Sequence, residues 1–89
     1  MNDRISRIEA LLTKALSPTR LIVKDQSHLH AGHAGARQGH GHFDVTIVTE
    51  QFSGQNRLKR HKMVYAALGT LMETDIHALR ITALTPSGD

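Results

Sequence analysis

The sequence predicts a small α/β (α+β) domain of order α-β-β-α-β, with a three-stranded mixed sheet and two helices packed on one of its faces. Three observations lead there. Apolar residues recur at helical spacing in two stretches and at strand spacing in three others. A chain of 89 residues encloses one modest core, so a single domain over 1–89 is expected. The composition is 39% hydrophobic and 21% charged with one Tyr and two Phe, which describes a folded chain with an aliphatic interior.

The elements follow in order. Ile5, Ile8, Leu11, Leu12, Ala15 and Leu16 share one helix face; Asn2 or Asp3 can cap it and Pro18 closes it, which makes a helix of average length. Arg20 to Asp25 (RLIVKD) is short and β-branched at its centre and reads as a strand. A His/Gly-rich stretch over 27–42 follows and is expected to be a flexible loop. Phe43, Val45 and Ile47 then alternate with Asp44, Thr46 and Val48, the period of a strand with one buried face. Behind the polar SGQN, the residues Leu58, His61, Val64, Tyr65, Leu68, Leu71 and Met72 predict one continuous second helix of roughly four turns. Ala78 to Leu84 alternates again until Pro86 and Gly88 end it.

Strands one and two are expected to pair as an antiparallel hairpin, and the helical crossover should set strand three parallel to strand two. This topology has a consequence for chemistry. The end of strand one, with the loop start at 26–33, comes to the same sheet edge as the beginning of strand three, where His77 stands.

Bulk properties exclude several functions. There is no cysteine, so disulfides, thiolate zinc fingers and a cysteine nucleophile are out, and any metal must be held by His, carboxylate or a partner's ligands. The acids are few and scattered, no Ser/His/Asp arrangement or P-loop is present, and no enzyme is expected. The N-terminus lacks an apolar stretch of signal-peptide length and no segment has the length of a membrane span, so a cytoplasmic protein is expected. The formal charge of +3 permits nucleic acid or acidic partners without requiring them.

Seven histidines are present, five of them in HLHAGHAGARQGHGHF, and neutral imidazole is the commonest metal ligand. The loop offers H-x-H-x-x-H and then H-x-H, a pattern equally shared by merely polar loops. What raises its weight is His77, a histidine on a strand end at the same edge. His40 and His42 lead into strand two and read as structural or solvent-facing, and His61 as a packed residue of the second helix. Arg57, Lys59, Arg60 and Lys62 cluster at the start of that helix with no acid between Glu50 and Glu73. They read as a surface for phosphates or an acidic partner, or as a solvated charged face. GHAG at 32–35 matches the G-x-x-G of KH domains but lies between strands instead of between helices, so it is read as a flexible segment.

DQSHLHAGH, HFDVTIV, RLKRHKMVYAAL and DIHALRITALTP, in that order, resemble the BolA family over nearly the whole chain. The resemblance implies a class II KH-like (BolA-like) topology and a binding role. It implies pairing with a monothiol glutaredoxin and a [2Fe-2S] cluster shared with glutaredoxin and glutathione, in iron-sulfur cluster trafficking or iron, redox and stress regulation. His77 of IHAL would be one ligand, His30 the loop ligand and His33 its alternate; the isolated protein would be a monomer holding no cluster tightly. It also implies a second reading, transcriptional regulation by weak, phosphate-dominated DNA binding through Arg57, Lys59, Arg60 and Lys62. From composition alone a third remains, a stand-alone His-rich binder of divalent metal.

Overall fold

The computed structural model describes residues 3–26 and 41–89. The chain runs α1 (Asp3–Leu16), β1 (Arg20–Asp25), β2 (Gly41–Val48), a 3-10 turn (Glu50–Phe52), α2 (Arg57–Leu68), a short α3 (Leu71–Thr74) and β3 (Ile76–Leu84). The sheet order is β1-β2-β3, with β1 antiparallel and β3 parallel to the central β2, as the sequence predicts.

The core lies between one sheet face and the helices. Ile8, Leu12 and Leu16, each four residues apart, form the buried stripe of α1. They meet Phe43, Val45 and Ile47 of β2, Val64 and Leu68 of α2, and Ile76 and Ile81 of β3 in one cluster. On β2 the intervening Asp44, Thr46 and Val48 are half-buried and occupy the other face. Thr49, 1% exposed, locks the two layers together: its hydroxyl donates to the Leu16 carbonyl at 2.7 Å, where α1 has run out of partners, and accepts from the Gln51 N–H at 3.2 Å.

Three boundaries differ from expectation. Gly41 and His42, read as the end of the loop, belong to β2, because the Gly41 N–H donates to Asp75 O at 2.9 Å and the Gln26 N–H to His42 O at 2.7 Å. β3 likewise starts at Ile76, two residues before the apolar alternation shows it. The second helix is divided: α2 stops at Leu68 because Gly69 takes φ 55°, a conformation that favours glycine, and the turn returns Leu71 to the core in α3.

The apolar stripe of α2 is also narrower than its sequence suggests. Val64 and Leu68 carry the buried face, whereas Leu58 and Tyr65 are exposed. Asn56 caps the helix by accepting from the Lys59 N–H at 2.8 Å. Among the described residues no helix is long and apolar enough to cross a membrane.

Candidate metal centre

Three chain segments meet at one edge of the sheet. In the antiparallel ladder Asp25 lies opposite Phe43, and Gln26 extends the pairing to His42. In the parallel ladder Gly41 lies opposite Ile76, but His42 lies opposite Ala78, so the register shifts and β3 carries one extra residue. That residue is His77. A bulge of this kind bends a strand and re-aims a side chain at its edge.

His77 is exposed, while His42, on the neighbouring central strand, retains only 8% of its surface. Their ring centroids are 5.0 Å apart with planes inclined at 51°, within the range of packed aromatic pairs. The alternation that buries Phe43 puts His42 on the opposite sheet face, beside the entry of β3. Sequence reading set His42 aside as a lead-in to the strand; its position one residue before the first core-facing residue was the signal that could have found it.

The turn that delivers His77 is tied to α1. The Asp75 carboxylate accepts from Arg7 Nη2 at 2.7 Å, lies 3.6 Å from Arg4 Nε, and accepts from the Thr74 hydroxyl at 2.6 Å. The Asp75 backbone meanwhile holds Gly41. The first residue of β2 and the approach to His77 therefore share one anchor.

The remaining sequence-predicted ligands, His30 and His33, lie outside the described residues, as do His28 and His40. Among the described residues no group of three or more His, Cys, Asp or Glu side chains could hold a metal ion. An exposed imidazole at the edge can donate one nitrogen to a metal, and the chain has no cysteine to add a thiolate.

The basic patch divides in two. Arg57, Lys59 and Lys62 are exposed on α2, free to meet anions. Arg60 is half-buried and turned into the fold. Its Nε donates to Gln55 O at 2.9 Å, and its Nη1 donates to Ala83 O at 3.0 Å and to Asp89 O at 2.6 Å. The guanidinium also stands 5.8 Å above the Phe52 ring. Arg60 thus links α2 to β3, a role that four like charges in sequence do not reveal. His61, half-buried, lines the groove between α2 and β3 beside it. A hydrogen bond from the Thr85 hydroxyl, aided by Arg60, holds the Asp89 carboxyl below the usual carboxylate range.

Residues 12–88 match the family model described as BolA-like protein. The chain is 42% identical over 90 residues to "Protein BOLA1, chloroplastic" of Arabidopsis thaliana, covering 98% of this chain and 56% of that protein. It is 38% identical over 79 residues to "DNA-binding transcriptional regulator BolA" of Escherichia coli, covering 89% and 72% of the two. The solved "BolA domain of SufE1 from Arabidopsis thaliana" superimposes with a TM-score of 0.86 at 39% identity, covering 98% of this chain and 96% of that one. The chain thus spans little more than half of the first of these relatives, and relatives of this domain include larger proteins.

Proposed function

The chain belongs to the BolA-like protein family, and from that premise we propose that it is a non-enzymatic partner of a monothiol glutaredoxin, with which it co-ligates a [2Fe-2S] cluster through histidines. The role is one in iron-sulfur cluster trafficking or in iron, redox and stress regulation, carried out in the cytoplasm. One observation carries the reading: an exposed imidazole, His77, sits at a bulge on the sheet edge from which the His-rich segment departs and to which it returns. His30, with His33 as its alternate, is the second ligand.

The donor set fits half of such a cluster. His77 and a loop imidazole would hold one iron, and thiolates of the glutaredoxin and glutathione would supply the remaining ligands. Imidazole in place of two thiolates raises the reduction potential, as in Rieske centres. The chain's own task is to hold His77 at a fixed place, which the Asp75 anchor to α1 and to Gly41 supports. Cysteine is absent, so the chain cannot complete the cluster alone.

The test is co-expression with a monothiol glutaredoxin under iron-replete conditions, followed by gel filtration with iron and labile-sulfide analysis. A heterocomplex with about two irons per pair is the result expected from the [2Fe-2S] stoichiometry. Separate elution of the two proteins, with all iron on the glutaredoxin, overturns the proposal.

A second reading, DNA binding, draws on two observations: the Escherichia coli relative carries that description, and Arg57, Lys59 and Lys62 are exposed on one helix. Phosphate contacts from these three cations would give a salt-sensitive affinity with little sequence readout.

A further inference from the structure

We infer that His42 is a positioning residue for His77: its imidazole, set into the central strand, is the fixed wall against which the exposed ligand ring rests. The inference depends on the reading that His77 is a metal ligand, and it concerns how that ligand is held.

The two rings differ sharply in freedom. His42 stands on β2, which is paired on both sides, and its carbonyl accepts from the Gln26 N–H at 2.7 Å. With 8% of its surface exposed, the His42 side chain is more closely surrounded than that of exposed His77. His77 stands on an edge strand, at the one place where the β2–β3 register shifts, and is exposed. Unsupported, such a side chain samples several rotamers, and metal binding must freeze one of them. A ring 5.0 Å away and inclined at 51° removes part of that freedom before any metal arrives.

The residue type supports the assignment. Phe, Tyr and Trp together number three in the whole chain, and a buried imidazole is costlier to desolvate than an aliphatic side chain. Packing alone would favour Val or Ile on a central strand. Ligating histidines are characteristically oriented by a neighbouring group, and the position beside His77 is where such a group belongs. His42 also joins the two halves of the proposed site: its backbone fixes Gln26, from which the segment carrying His30 and His33 departs, and its ring touches His77.

The test uses the full chain, alone and with monothiol glutaredoxin, glutathione and a reconstituted cluster. His42→Leu removes the ring and keeps its volume, His42→Phe keeps a ring, His42→Ala is a second ringless variant, and His77→Ala is the reference. Ring NMR signals of His77 are read in the isolated chain; cluster retention and the nitrogen couplings of the reduced cluster by pulsed EPR are read in the complex. Freezing one side chain corresponds to a loss of retention of about two- to tenfold in the ringless variants. The His77 ring signals should move and show rotamer averaging, His42→Phe should restore both, and every His42 variant should keep the same count of coupled imidazole nitrogens. Unchanged ring signals and retention in a folded ringless variant overturn the inference; so does the loss of one nitrogen coupling in His42→Phe, which would make His42 itself a ligand. A heterocomplex that keeps its cluster unchanged in His77→Ala refutes instead the reading of His77 as a ligand, so the two failures are separable.

Discussion

Arg60→Ala offers the sharpest test of how the second helix divides its charges. The wild-type guanidinium makes three hydrogen bonds to backbone oxygens, of Gln55, Ala83 and Asp89, and stands over Phe52. A hydrogen bond from a charged donor contributes roughly 1.5–3 kcal/mol, with the lower end apt for a half-buried side chain. The bond to Asp89 is exposed and adds little, and the ring contact adds about 0.5–1 kcal/mol. Removing the side chain should therefore cost about 2–4 kcal/mol. For a domain of this size each kcal/mol moves the midpoint by roughly 4–8 °C, so thermal unfolding should fall by about 10–25 °C. Arg60→Lys should recover only a minor part, since an ammonium cannot reproduce the fork that reaches Gln55 and Ala83 together. The assay is circular dichroism melting of both variants beside Lys62→Ala, an exposed neighbour whose loss should shift the midpoint little. An Arg60→Ala midpoint matching that of Lys62→Ala would falsify the assignment of Arg60 to the fold.

Three further outcomes follow from the same geometry. Thr49→Val keeps the shape of a buried side chain but strips the Leu16 carbonyl and the Gln51 N–H of their partner; a loss of about 2–3 kcal/mol in urea unfolding is expected, and a change under 0.5 kcal/mol would contradict it. If the chain binds duplex DNA, Lys59→Ala and Lys62→Ala should each reduce the slope of log affinity against log salt by about 1, whereas Arg60→Ala should leave that slope unchanged. The Asp89 carboxyl, with its pKa lowered first by the Thr85 hydroxyl and also by Arg60, contributes stability that is present above the ordinary carboxylate range and lost as pH falls through the depressed value. Wild type and Asp89→Asn should therefore differ most near neutral pH and converge in acid; a difference that grows on acidification reverses the sign.

Much of the architecture was legible because its signals are local. The two-residue alternation around Phe43, Val45 and Ile47 and the four-residue spacing of Ile8, Leu12 and Leu16 state which faces are buried, and crossover handedness then orders the sheet. The misses share a cause. Where α2 ends depends on one glycine at positive φ, and the helical period runs through Gly69 into Leu71 and Met72 without a break. The rotation of α2 is settled by what packs on it, so Leu58 and Tyr65, apolar and correctly spaced, are nonetheless exposed. The site was half legible. Topology alone brought His77 to the edge where the His-rich segment begins, but the bulge that inserts it and the buried neighbour His42 arise from ladder pairing between residues 35 positions apart, which no local pattern encodes. Likewise Arg57, Lys59, Arg60 and Lys62 look alike in sequence, and only the carbonyls facing Arg60 distinguish it.

The most direct measurement is the absorbance and circular dichroism spectrum of the glutaredoxin complex prepared with His77→Ala. The account predicts that the mixed thiolate and imidazole spectrum disappears and that the cluster is lost or remains only on a glutaredoxin homodimer, while the variant's own melting midpoint stays close to wild type because His77 is exposed. A heterocomplex with unchanged spectrum and unchanged iron content would contradict it.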